Sequence, residues 1–552
     1  MLFLLLACTG PELAGSGVIT PIGDQTDPDG PVGDDSGVTD SGEDTDVVVP
    51  PEPVQEAPRI LINEVMTANT CSFGFDGGMP DWIELYNASP RDVTLDRVAL
   101  WDSTGDVWVG SPLVTLPAEG YFVIIADGAS GGPHAPFHLA SAGDQITVLV
   151  DGQVTDRMAT GLLTDDVAWA RYPDGGEWGV TAGGTPGESN GDSPTVMVDP
   201  TDNVFTIDDI RQADITLDAA AVASLSRSPQ TYVEGAFGLN GVVFDPVGIR
   251  LRGSMTFQPL TGKPAFKIDM NRYADTNYCG EIKKFNVINM YYDASLVREY
   301  MAYYIFRQMG VASARNAYQL TYVNGDYIGV EMLSEAYDDA FLDNWYGRDN
   351  TDGYMIWEES SLECETGACD NTIINGMLGI LQDPATDENL ALLEERLDLT
   401  EALSEIAGEL TLGQWDGYCA PHNFRWSYDP ITGLIMLIPS SLDLTFDNLG
   451  YSYGGNYYQC SGGRLLTWCL QNDTCADRYD TILLSLADRL EGGPDDMEID
   501  AVMDQIETLV EPYAADEPRG QYDYAQWRQQ FDYVRTYLDN LPDEIRSQVD
   551  SR

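Results

Sequence analysis

The segment Trp415–Asn448, WDGYCAPHNFRWSYDPITGLIMLIPSSLDLTFDN, constrains the chain more than any other. A loop carrying Asp416 and Asn423 leads through the turn Asp429-Pro430-Ile431-Thr432-Gly433 into the apolar run Leu434–Pro439. A second acidic loop with Asp443 and Asp447 follows at once. Two carboxylate-bearing loops therefore flank one short strand that must be buried. Hard cations take oxygen ligands, and Mg²⁺ needs only one or two protein carboxylates beside phosphate oxygens. The arrangement suits a divalent cation and a phosphate-bearing ligand; acidic loops with no site are the alternative in so acidic a chain.

The acidity itself excludes partners. Ninety acidic against 28 basic residues give a formal charge of −62, which repels nucleic-acid phosphates and favours cations and basic surfaces. Salt would screen that self-repulsion, so a saline environment permits such a chain. With 43% hydrophobic residues over 552 positions, the chain has ample material for two to four packed domains.

The first eight residues, MLFLLLAC, resemble a bacterial lipobox, which would make Cys8 a lipidation site. Residues 9–57, rich in Asp, Gly, Pro and Ser, bury too little apolar surface to fold and read as an acidic tether. Together they predict export and lipid anchoring at a bacterial envelope, with the lipid as the only membrane attachment. Eight cysteines remain after Cys8, an even number that fits an oxidising compartment. The close pairs Cys364 with Cys369 and Cys469 with Cys475 are the expected local disulfides. Zinc is disfavoured by three histidines in all and no CxxC pair.

From residue 58 to 190 the pattern is β: ILINEVM, DWIELYNAS, VTLDRVALWD, YFVIIADG and QITVLVDG are separated by Gly, Pro, Asp and Asn turns. The spacing predicts an immunoglobulin-like β-sandwich. Ile62-Asn63-Glu64-Val65, Asp81-Trp82-Ile83-Glu84-Leu85-Tyr86-Asn87 and Gly184-Thr185-Pro186-Gly187-x-x-Asn190 resemble the lamin-tail domain. That resemblance implies an adhesion or spacer module. His134 and His138, in a Gly/Pro-rich loop, read as surface residues.

Residues 191–552 resemble the CotH family, the spore-coat-protein-H kinases. The resemblance is carried by W-D at 415–416, H-N at 422–423, Y-D-P-x-x-G at 428–433, and the strand ending Ile438-Pro439 before Leu442-Asp443. It implies an α+β divergent protein-kinase-like domain that moves phosphoryl from ATP, with Mg²⁺ or Mn²⁺, to Ser or Thr of a surface or coat protein. On that reading Asp416 is the base, and Asn423 and Asp443 hold the metal. Where the family has Pro-Trp-Asp-Leu-Asp, this chain has Ser441 for the first aspartate. A catalytically inactive relative serving adhesion or envelope assembly is the alternative.

Four cations lie within 18 positions. Arg250 and Arg252 alternate with apolar residues and share one face of a strand. Lys263 and Lys267 belong to a segment resembling the family's K-P-x-[YF]-[KR], and Lys267 faces away from Phe266 and Ile268, as a lysine for ATP phosphates should. Arg252, Lys263 and Lys267 are the expected nucleotide cations, with solvated strand faces as the competing reading. Asp293 is expected to cap a helix, ASLVREYMAYYIFRQMG, whose Glu299 is a candidate partner of Lys267 or an ordinary exposed residue. Asn324-Gly325 predicts a type I′ hairpin. Glu335, after its second strand, either hydrogen-bonds a nucleotide or opens the next helix.

Overall fold

The computed structural model describes residues 58–552 except 76, 164, 194–203, 275–277, 279–281, 347–353, 358–362, 368, 448–454, 493–494 and 515–516. Cys8, the tether 9–57 and Cys279 lie outside the described residues.

Two antiparallel sheets form the first region. One runs in the order Glu177–Ala182, Val167–Tyr172, Ile60–Met66, Trp82–Asn87, Tyr121–Ile125, and the other in the order Val107–Val109, Val98–Trp101, Gln145–Val150, Gln153–Ala159. Alternation along Val98–Trp101 and Gln145–Val150 sends every second side chain inward. Ile60, Ile62, Ile83, Leu85, Val98, Leu100, Ile146 and Val148 join one apolar cluster drawn from both sheets. Strand Gln153–Ala159, QVTDRMA, escapes sequence reading because it is an edge strand with almost no buried side chain. The three segments with lamin-tail resemblance meet through hydrogen bonds. Glu64 and Glu84 are opposite each other on paired strands and fully buried. Glu64 accepts the Thr185 N–H at 2.9 Å and Glu84 the Gly187 N–H at 2.7 Å, while Asn190 donates to the Asn63 carbonyl at 3.2 Å.

The second region opens with a closed seven-stranded barrel. Its order is Arg211–Thr216, Val233–Leu239, Val242–Arg252, Ala265–Asp269, Lys284–Ile288, Asp326–Glu335, Asn316–Val323, and the last strand pairs in parallel with the first. Phe237, Ile249, Leu251, Phe266, Ile268, Phe285 and Leu333 fill it, and Cys71 and Met79 of the sandwich pack on the same cluster. The hairpin turns at Asn324-Gly325 with φ of 51° and 83°, the two positive values a type I′ turn requires.

A helical lobe follows, built round the helix Leu399–Thr411, almost every residue of which is buried. Asp398 caps it by accepting the Glu401 N–H at 3.0 Å, and Gly413, at φ 67°, lets the chain leave. Against it lies the hairpin Phe424–Asp429 and Leu434–Pro439, whose turn is tied by Asp429 accepting the Ile431 N–H at 3.0 Å. The helices Asp473–Leu490, Ile499–Ala514 and Tyr524–Ser551 complete the lobe. The whole region is mixed α+β. Among the described residues no helix is long and apolar enough to cross a membrane.

Both expected local disulfides are present, Cys364–Cys369 and Cys469–Cys475. A third, Cys419–Cys460, spans 41 residues and ties the loop after Asp416 to a distant segment. Cys71 is also disulfide-bonded. Opening the 41-residue crosslink as Cys419→Ala/Cys460→Ala should cost about 4 kcal/mol on the chain-entropy relation, read by denaturant unfolding. A loss no larger than for Cys364→Ala/Cys369→Ala, which opens a short loop, would contradict that reading.

Candidate functional site

A cleft of about 600 Å³ is walled on one side by the barrel strand Val242–Arg252 and its following loop, and on the other by the two acidic loops of the helical lobe. Arg250, Arg252, Glu299, Asp416, His422, Asn423, Ser441 and Asp443 all line it. The backbone is strained there. Met290, Asn423 and Ser441, none of them glycine, line the cleft at φ of 45°, 47° and 56°. Such left-handed conformations in residues with a side chain need a surrounding structure that enforces them.

The Asp416 loop is held by short-range hydrogen bonds. Asn423 donates its amide group to the Asp416 carbonyl at 2.8 Å and to the Asp416 carboxylate at 2.9 Å. An amide committed in this way has its oxygen to offer a cation. Ser441 follows the strand Leu434–Pro439. Its N–H donates to the Tyr303 hydroxyl at 3.3 Å and its carbonyl accepts from the Gln414 side chain at 2.9 Å. The short 3₁₀ turn Leu442–Leu444 then aims Asp443 at the cleft.

Carboxylates crowd behind this surface. Burial pushes the Asp443 carboxyl up to about 7, and Asp293 and Asp416 add to the rise against the opposing pull of Arg252. Burial, then Asp443, raise Glu299 well above the carboxylate range, with Arg252 again opposing. Asp293 is 1% exposed and accepts from the Arg298 N–H and guanidinium, both at 2.9 Å. Its expected capping role shifts accordingly. The helix runs Arg298–Gln308, and Asp293 binds the turn that precedes it.

The expected nucleotide residues divide. Arg252 is in the cleft with Glu299, and these two are electrostatic neighbours. Glu299 is buried, 3% exposed, because its helix sits between the lobes and is covered on nearly every side. Lys267 lies opposite Arg250 and Asn286 in the barrel and does not line the cleft. The cation beside Glu299 is thus Arg252 in place of the expected Lys267. Lys263 is 2% exposed, and its ammonium meets Glu517 at 3.2 Å, away from the cleft lining. Glu335 forms a two-pronged pair with Arg315, at 2.7 and 3.2 Å, also outside the cleft. Sequence reading missed Asp293 as a member of the acidic cluster. Its only signal was a carboxylate at a strand-to-helix junction, which an ordinary cap also explains.

His134 pairs with Asp127 at 2.8 Å in the sandwich. Among the described residues no three His, Cys, Asp or Glu side chains form a ready-made metal cage.

The barrel, the helical lobe and the cleft between them define a two-lobed α+β domain with arginines on one wall and carboxylates on the other. A family model described as CotH kinase protein matches residues 249–543, more than half of the chain, and the chain belongs to that family. A second, described as Lamin Tail Domain, matches residues 53–166. Among curated proteins none matches the chain.

The raised carboxyls fix a pH dependence. Asp443 and Glu299 bind a proton more tightly folded than unfolded, so their contribution is complete below about pH 4 and is lost as pH rises, for Asp443 through about 7. Glu84 and Glu331, pushed up to about 8 mainly by burial, act in the same direction. Thermal or denaturant unfolding between pH 5 and 8 should show stability falling by about 1.4 kcal/mol per pH unit for each group titrating. Asp443→Asn should make the fall shallower, and a wild type whose stability rises over this range would refute the assignment.

Proposed function

We propose that this chain is an exported, kinase-like CotH protein that transfers the γ-phosphoryl group of ATP to a Ser or Thr hydroxyl of a cell-surface or coat protein. The observation that carries the reading is the convergence of Arg250, Arg252, Asp416, Asn423 and Asp443 on one cleft. On this reading the barrel and helical lobe are a divergent protein-kinase fold, with six residues between Asp416 and Asn423 where ordinary kinases have four.

Each residue has a role set by phosphoryl transfer. Arg252, an electrostatic neighbour of Glu299, and Arg250 neutralise nucleotide phosphates. Asp416, fixed by the Asn423 amide, accepts the proton of the substrate hydroxyl as its oxygen bonds to the γ-phosphorus and the bond to the ADP oxygen breaks. Asn423 and Asp443 would hold Mg²⁺ or Mn²⁺. The donor set fits a hard cation: one carboxylate, one amide oxygen and an acidic surround whose carboxyls are driven up by burial first and by one another second. The metal supplies charge neutralisation on the phosphate oxygens.

One observation favours an inactive relative acting in adhesion or envelope assembly. Ser441 presents no carboxylate, and its backbone groups are committed to Tyr303 and Gln414. Residues 58–552 incubated with labelled ATP and Mg²⁺ or Mn²⁺ separate the two. Asp416→Asn should lower transfer by roughly 10²-fold or more with nucleotide binding nearly intact, and Asp443→Ala should abolish metal-dependent nucleotide binding. A silent wild type that gains activity as Ser441→Asp identifies a pseudokinase. An active wild type indifferent to Asp443→Ala refutes the metal assignment.

Anchoring through Cys8 by the tether 9–57 belongs to the same proposal, and the paired cysteines support an oxidising compartment. A labelled fatty acid fed to expressing cells should mark the wild type, whereas equal labelling of Cys8→Ser would exclude the anchor.

A further inference from the structure

Three glutamates, Glu401, Glu405 and Glu409, recur every fourth residue along the helix Leu399–Thr411 and so share one face of it. All three are buried, at 6%, 1% and 1% exposure. No cation is paired with them in any described salt bridge. Glu401 and Glu409 accept from peptide N–H groups of the two segments that carry the acidic loops, and Glu401 also from the Ala312 N–H at 3.4 Å.

Glu401 accepts the N–H of Leu437 at 3.0 Å, in the middle of the strand that leads to Asp443. Glu409 accepts the N–H of Cys419 at 3.0 Å, three residues beyond Asp416, and Tyr418 donates to the same carboxyl. The backbone carbonyl of Glu409 also accepts the Gln414 N–H at 2.9 Å. Gln414 in turn donates its side chain to the Ser441 carbonyl, closing a circuit from one acidic loop to the other. Gly417 lies directly on the Glu409 carboxyl: a Cβ there would stand 2.4 Å from Oε1.

We infer that Glu409 is a positioning residue for Asp416, a buried carboxyl clamp that fixes the loop 414–423 through its peptide N–H groups and so sets where the Asp416 carboxylate enters the cleft. The inference rests on the kinase reading only for what Asp416 does; the clamp itself is a property of the fold. An apolar residue of the same size would leave the Tyr418 and Cys419 amides without an acceptor in a dry interior, and the loop would lose its register. The burial that makes the clamp specific also pushes the Glu409 carboxyl up to about 8. Burial favours its neutral form, and a glutamine, with the same carbonyl acceptor for the Cys419 N–H, can replace it.

The test uses the described chain without nucleotide. Amide hydrogen exchange should show Tyr418 and Cys419 protected in the wild type and in Glu409→Gln. Their exchange should be at least about tenfold faster in Glu409→Ala, while Leu437, held by Glu401, stays protected. Gly417→Ala, which leaves Glu409 in place and wedges the loop off it, should release the same two amides, so the clamp is tested even if Glu409→Ala does not fold. Where transfer is measurable, Glu409→Ala and Gly417→Ala should lower kcat with KM for ATP changed less than about twofold, and Glu409→Gln should restore it. Unchanged protection in Glu409→Ala or Gly417→Ala, or a Glu409→Gln loop as loose as the alanine variant, overturns the inference. A silent wild type with the expected exchange pattern overturns the kinase reading alone and leaves the clamp standing.

Discussion

A carboxyl group taken out of water costs several kcal/mol unless donors meet it, and this chain buries many while carrying only 28 cations for 90 acids. Peptide N–H groups supply much of the difference. Glu64 and Glu84 grip the Thr185 to Gly187 segment, Glu401 grips the strand Leu434–Pro439, and Glu409 grips the Asp416 loop. Glu64, Glu84 and Glu401 join pieces of chain 36 or more residues apart and Glu409 joins a helix to the loop that follows it, so the buried carboxyls act as crosslinks between elements. A neutral carboxyl accepts from an N–H without bringing a full charge into the interior, which is why burial and raised proton affinity occur together here.

The same economy explains which parts of the fold the sequence reveals. Alternation and turn chemistry are local, so the strands Ile60–Met66, Trp82–Asn87 and Gln145–Val150 and the Asn324-Gly325 hairpin are legible in the residues themselves. The edge strand Gln153–Ala159 has no buried face to announce it. The assignment of cations depends on where strands end up in the barrel, which no local pattern records. Alternation correctly gave Lys267 a face opposite Phe266 and Ile268, yet the cleft opens beside Arg250 and Arg252. Lys263 and Glu335 were drawn into ion pairs with Glu517 and Arg315, partners 254 and 20 residues away in sequence.

Strain in the cleft follows from the same crosslinking. Asn423 begins the hairpin strand at Phe424 and Ser441 follows its partner strand at Pro439, with the Ser440 N–H bonded to the Asn423 carbonyl at 2.9 Å. The two left-handed residues are thus the paired exits of one hairpin, turned toward the cleft together. A serine at the second exit keeps the turn because the turn is enforced by Tyr303 and Gln414, which bind backbone atoms and ignore the side chain. Serine in place of aspartate at 441 can therefore change the charge of the site without changing its shape.

Charge is then the property of this cleft that the residue at 441 controls. A nucleotide approaching a chain of net charge −62 is repelled at distances where the molecule acts as a whole. At physiological salt that field is screened beyond about 8 Å, so the local wall decides. That wall carries Arg250 and Arg252 against Asp416, Asp443 and the buried Glu299 and Asp293. A carboxylate at 441 would add one more negative group to a surface where Asp443 already holds its proton to about 7. Serine instead relieves the repulsion among acids that have too few cations near them. Serine at 441 is electrostatically coherent with the rest of the chain, in which peptide N–H groups meet buried carboxyls that burial has raised.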